Sequence, residues 1–257
     1  MKKLILIFLI TLTIGFASCD KTESIPDRFT PLPAVNANVK FLNVSPDAPP
    51  VNFFADGQKI SSANATTTGA VQGFGFGGLY PANVAYSTIP SSSAKIEAKV
   101  PDSSIVTPGA VILSTTATFA AGKFYTYTLV DSVGTQKLSA VLIEDDPIVQ
   151  DATKGYFRLA NFINNSSVKI EIFRSNGTLY ASNANLAFKS VSAFDSLGTT
   201  TSYNIFLKNP VTNVNLDSIK SFTPVATRKY TFYARGVLGQ TGSTNTKRPL
   251  IISLINF

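Results

Sequence analysis

The same strand-and-turn pattern is written twice along this chain, and that repetition, more than any single residue, limits what it can fold into. Val39-Lys-Phe-Leu-Asn43-Val44 runs into a Ser45-Pro-Asp-Ala-Pro-Pro50 corner, then Val51-Asn-Phe-Phe-Ala55, an Asp56-Gly57 turn and Gln58-Lys-Ile60. Tyr156-Phe-Arg-Leu-Ala-Asn161-Phe162 passes in the same way through Asn164-Asn-Ser-Ser167 to Val168-Lys-Ile-Glu-Ile-Phe173, an Asn176-Gly177 turn and Thr178-Leu-Tyr180. Asp-Gly and Asn-Gly between apolar runs are hairpin signals, because both members of each pair tolerate positive φ. The endings match as well. Phe124-Tyr-Thr-Tyr-Thr-Leu-Val130 aligns with Lys229-Tyr-Thr-Phe-Tyr-Ala-Arg235, Tyr125 over Tyr230 and Thr126 over Thr231, and Leu138 to Ile143 is set against Leu250 to Ile255. Between them, Tyr86 and Ile89 are echoed by Phe194 and Leu197.

No window of a dozen residues carries a capped helical stripe, whereas short alternating runs between Gly, Pro, Asn and Asp turns recur throughout. The chain therefore reads as all-β. About seven short strands in each half is the count of an immunoglobulin-like sandwich, which predicts two tandem Ig-like antiparallel β-sandwich domains at 39–146 and 155–257. The linker between them is 147–154, where Pro147 interrupts pairing.

The residues of the first half also carry a family resemblance. Phe41-Leu-Asn-Val-Ser-Pro-Asp-Ala-Pro-Pro-Val51, the Asp56-Gly57 turn and the Tyr-Thr strand near 125 resemble the domain of unknown function numbered 4397, found in bacterial surface lipoproteins. The likeness weakens over 155–257, where Ile163-Asn-Asn-Ser-Ser167 replaces the Ser-Pro-Asp-Ala-Pro corner. It implies a tandem Ig-like surface lipoprotein and brings no catalytic residues with it.

Residues 1–18 have the form of a lipoprotein signal peptide. Lys2 and Lys3 are followed by a 13-residue apolar run, Leu4 to Phe16, then Ala17-Ser18 and the single cysteine of the chain, Cys19. Thirteen residues fall short of the roughly 20 that span a bilayer, so a cleaved signal with lipid attached at Cys19 is the better reading. Residues 19–38 then form a flexible tether with Pro26, Pro31 and Pro33, reaching on the order of 60 Å when extended. The expected location is the cell envelope, as an outer-membrane lipoprotein facing the periplasm or the surface.

Charge is distributed unevenly: residues 39–153 carry six Lys against nine acids, net −3, while 154–257 carry twelve Lys or Arg against three acids, net +9. That asymmetry suits either an anionic polymer or two halves whose faces complement each other. No histidine and no second cysteine exist in the chain, which removes Ser-His-Asp and Cys-His catalysis, ordinary zinc sites and disulfides. Gly73-Phe-Gly75-Phe-Gly-Gly78 matches a dinucleotide fingerprint, but Leu79-Tyr-Pro81 follows where a helix would have to begin. Glu144-Asp145-Asp146, with Asp151 near, reads as a solvated linker and not as a calcium site. No catalytic, metal or cofactor residue is expected, and no nucleic-acid partner. The expected function is a non-catalytic, lipid-anchored envelope protein displaying its modules for adhesion, assembly or envelope structure. The alternative is a binding protein for a glycan or other anionic polymer.

Overall fold

A computed structural model describes residues 35–61, 73–131 and 138–257; Cys19, the signal segment and most of the tether lie outside the described residues. The first half contributes β1 (Asn36–Asn43), β2 (Asn52–Ala55), β3 (Gln58–Lys59), β4 (Leu79–Tyr80), β5 (Ser87–Pro90), β6 (Ser93–Lys99), β7 (Val111–Thr118), β8 (Phe124–Val130) and β9 (Ser139–Asp145). The second contributes β10 (Lys154–Asn161), β11 (Val168–Arg174), β12 (Leu179–Leu186), β13 (Asp195–Gly198), β14 (Tyr203–Lys208), β15 (Asn215–Phe222), β16 (Lys229–Arg235) and β17 (Leu250–Ile255).

These strands make four sheets. In the first half, β4-β1-β8-β9, with β5 also on β1, faces β3-β2-β6-β7; in the second, β13-β10-β16-β17 faces β12-β11-β14-β15. The two topologies match, with β4 represented in the second half only by the bridge of Ala160 to Val191, so the repeat seen in the residues is a repeat of fold. Pairing is antiparallel except for β1 with β8 and β10 with β16, which run parallel. The purely antiparallel sandwich expected from the sequence is thus corrected to mixed sheets. After β1 and β10 the chain crosses twice to the facing sheet, with β4–β5 or β13 laid antiparallel between the crossings, before β8 or β16 is added parallel, a pairing no hairpin makes.

Each sandwich has its own core. Phe41, Phe53, Ile89, Ile96, Tyr127 and Leu129 are buried between the first pair of sheets, with the Phe41 and Phe53 rings stacked at 4.8 Å. Ile170, Ile172, Leu197, Tyr203, Ile205 and Phe232 fill the second. Alternation does this work: in Asn52-Phe-Phe-Ala55, Phe53 and Ala55 are buried and Phe54 faces out. The hydroxyls of Tyr125 and Tyr230 each accept from a backbone N–H five residues upstream, on Ala120 at 3.1 Å and Val225 at 3.0 Å. This is the tyrosine corner that Greek-key sandwiches use to fix a strand entry.

A third buried cluster joins the halves. Leu42, Val44 and Ile143 from the first pack with Ala160, Phe162, Tyr233 and Leu254 from the second, so the sheets carrying β1 and β10 lie face to face and Ala34–Phe257 is one compact unit. The sheet registers set Thr126 against Ile143 and Thr231 against Leu254. Ser139–Glu144 is therefore the counterpart of Leu250–Ile255, one residue later than the alignment drawn from the sequence.

The acidic cluster is the second correction. Asp145 closes β9 and is 1% exposed. Its carboxylate meets the Arg158 guanidinium and also accepts from the Thr126 hydroxyl at 2.6 Å, the Tyr86 hydroxyl at 2.9 Å and the Asn256 amide at 3.1 Å. Glu144 pairs with Lys123 at 2.8 Å and Asp146 with Lys229 at 3.3 Å. Three successive carboxylates thus go to three different cations. Asp145 and Asp146 reach cations of the other half, and Asp145 is buried in the seam where a solvated linker residue was expected, while Glu144 keeps to an exposed pair within the first sandwich.

Candidate ligand-binding face of the first sandwich

The seam accounts for much of the charge asymmetry. Asp47 with Lys247, Asp131 with Lys189, Asp145 with Arg158 and Asp146 with Lys229 each join an acid of the first half to a base of the second.

On the outer face of the first sandwich, Lys95-Ile-Glu97-Ala-Lys99 in β6 puts both lysines and the glutamate on one side, since alternate residues of a strand share a face. Lys95 Nζ stands 2.6 Å and Lys99 Nζ 2.8 Å from the Glu97 carboxylate oxygens. Those two ammonium groups hold the Glu97 carboxyl below its ordinary pKa. Lys99 also lies over the Phe54 ring of the neighbouring β2, 4.6 Å from its centroid.

Beside this group is a cavity of about 500 Å³ lined by Asn52, Phe54, Lys59, Lys99, Asp102 and Ser103 among others. The loop after β6 forms its wall. Ser104 N–H donates to Pro101 O at 3.0 Å and Gly109 N–H to Val100 O at 3.1 Å. Gly109 has φ +69°, and a Cβ there would stand 2.9 Å from Asp102 Oδ1, so glycine leaves the Asp102 carboxylate its place on the rim. The lining combines an aromatic surface, two ammonium groups, a carboxylate, an amide and a hydroxyl, the mixture that binding sites use to pair apolar contact with a few oriented polar groups.

Cys19, the one site residue expected from the sequence, lies outside the described residues. No motif in the sequence marks the cavity residues. The signal was the alternation Lys95, Glu97, Lys99 opposite Phe54, legible once β6 is read as a strand with one face outward.

The fold and this face define a tandem β-sandwich protein with a polar, aromatic-floored cleft on an outer sheet. The chain belongs to the family described as domain of unknown function 4397, whose profile matches residues 37–171 and so runs through the first sandwich into β11. No curated protein matches the chain. Among solved structures it is similar to CBMbc (family CBM26) from Eubacterium rectale Amy13K in complex with maltoheptaose, at 11% identity over 86% of this chain and 95% of that one, TM-score 0.23. It is also similar to a putative adhesin from Bacteroides ovatus, at 8% identity over 84% and 95% of the two chains, TM-score 0.21.

Proposed function

We propose that this is a non-catalytic, lipid-anchored protein of the cell envelope, held at Cys19 in the outer membrane, whose first sandwich binds an anionic glycan. The observation that carries the reading is the cavity beside Phe54, where Lys99 stands over the aromatic floor and Lys59, the cross-strand partner of Phe54, lines the same cavity, with Asp102 and Ser103 on the rim. The apolar face of a sugar ring contacts Phe54, its carboxylate or sulfate meets the lysines, and its hydroxyls reach the rim. The seam supports a display role, because it joins two modules into one compact unit.

Retention of the soluble chain on immobilised polygalacturonate tests this. Retention should fall with salt and be weakened at least tenfold by Lys59→Ala with Lys99→Ala, and neutral dextran should not retain it. Equal, weak retention of wild type and variant on both matrices would overturn the reading. Mass spectrometry of the mature N-terminus tests the anchor, with a diacyl- or triacylglyceryl group on Cys19 expected and Cys19→Ala releasing the chain from membranes.

A further inference from the structure

The outer sheet of the second sandwich repeats the chemistry of the first on different strands. Glu171 in β11 is 7% exposed and lies between Lys169 at 2.7 Å and Lys208, from β14, at 2.6 Å. Burial works against its ionisation, but the two ammonium groups outweigh burial and keep its pKa below the ordinary value. Beside it, Phe173 and Phe206 meet edge to face at 5.6 Å. Lys208 Nζ stands 5.8 Å and 5.6 Å from their centroids, and Lys220 Nζ lies 3.7 Å from that of Phe206. A shallow groove of about 240 Å³ runs along Phe173, Gly177, Asn204, Phe206 and Lys208.

We infer that this groove is a second anionic-glycan site and that the chain is bivalent. Lys169 and Lys208 share one carboxylate, so this triad keeps a net positive charge, and Lys220 adds another beside the aromatic pair. An anionic group bridging Lys208 and Lys220 would sit above the Phe206 ring, with Asn204 placed to meet a hydroxyl. The two sites cannot serve one short oligosaccharide. The sheets are layered so that the two bearing the sites are outermost, separated by both cores and the seam. They lie on opposite outer faces of one compact unit, which is the geometry for cross-linking two polymer strands.

The inference rests on the reading of the first site, and counting sites separates the two. Calorimetric titration of the soluble chain with a short oligogalacturonate should give two equivalents per chain. Lys208→Ala with Lys220→Ala should reduce this to one, as should Lys59→Ala with Lys99→Ala, and long polygalacturonate should form turbid cross-linked complexes with wild type only. One equivalent, lost with the Lys59 and Lys99 changes and unaffected at Lys208 and Lys220, overturns the inference and leaves the first site standing. One equivalent lost only at Lys208 and Lys220 overturns the first site instead. No binding by wild type overturns both. Circular dichroism of each variant confirms that loss of binding is not loss of fold.

Discussion

Lys40 and Arg158 occupy the same position in the two repeats, and each reaches across the seam to the closing strand of the other sandwich. Lys40 Nζ donates to Ile255 O at 2.8 Å, and Arg158 Nη1 donates to Glu144 O at 3.0 Å; Ile255 and Glu144 are counterparts in β17 and β9. Each cation also lies over the counterpart aromatic of its own repeat, Lys40 4.3 Å from the Tyr86 centroid and Arg158 4.7 Å from that of Phe194. The seam is therefore a pseudo-two-fold interface within one chain, organised as an isologous homodimer is. Its symmetry is broken where Asp145 faces Arg158 but Asn256 stands at the matching place.

That break predicts an asymmetric response to mutation. Arg158→Met removes the cation and leaves Asp145 buried with only neutral donors, and breaking one partner of a buried pair costs about 3–5 kcal/mol. Asn256→Ala removes one neutral hydrogen bond to the same carboxylate and should cost about 1–2 kcal/mol. Urea denaturation checks the order, which equal losses would contradict.

Lys40 gives the seam a pH dependence. Burial lowers its pKa to about 8, against the pull of Asp145. Because the unfolded chain holds that proton to higher pH than the folded one, stability should rise between about pH 8 and pH 10 as the folded state sheds it. Above that window the trend reverses, since burial keeps Tyr86 protonated well past its ordinary range and holds Tyr233 up to about 12, while unfolded tyrosines ionise near 10. Lys40→Met should abolish the rise and keep the fall. The midpoint of unfolding measured across pH 7 to 11 decides it.

The repeat and the two hairpin turns were legible because each is local: Asp56 and Gly57 have φ of +47° and +81°, and Gly177 +84°. The parallel pairing of β1 with β8 was not, since it joins segments more than eighty residues apart through an intervening sheet. Asp145 was misread for a sharper reason. It follows Val141 and Ile143 at the same two-residue phase, so it belongs on their seam-facing side. The one-residue slip in aligning β9 with β17 reverses that face and hid the equivalence of Asp145 with Asn256. The lysines of the cavity were visible as residues but not as a site, because Phe54 and Lys99 meet only across strands.

The glycine-rich stretch before β4 makes a further prediction at the seam. Gly77 has φ +86°, its N–H donates to Asn43 O at 2.6 Å, and a Cβ on it would stand 2.8 Å from Arg235 Nη1. Its counterpart Lys189 also has positive φ, +65°, and donates to Asn161 O at 2.8 Å. Gly77→Ala should cost about 1–3 kcal/mol, from backbone strain and from displacement of Arg235 off the Phe76 ring. Lys189→Gly should relieve strain yet lose the ion pair with Asp131. The thermal midpoint of Gly77→Ala should fall several degrees, and an unchanged midpoint would show that the loop gives way freely.

The last prediction concerns the halves apart. Each has a complete core and its own tyrosine corner, so fragments 35–150 and 151–257 should each fold. Separated, they expose Leu42, Val44, Phe162 and Tyr233 together with the seam charges. Pseudo-symmetry lets either fragment pair with itself, but self-pairing of the first offers Asp145 only Lys40 in place of Arg158 and leaves Asp131 and Asp146 without Lys189 and Lys229, while self-pairing of the second sets Arg158 against Asn256 and leaves Lys189 and Lys229 without their acids. Only the mixed pair forms all the cross-seam ion pairs, and complementary charge selects partners, so it should form at the expense of both homodimers. Sedimentation of an equimolar mixture should show a single heterodimer at low salt, weakening as salt rises. Arg158→Glu on the second fragment should prevent it and Asp145→Arg on the first should restore it, whereas fragments that stay apart at every salt concentration would mean that the seam holds only because the chain is continuous.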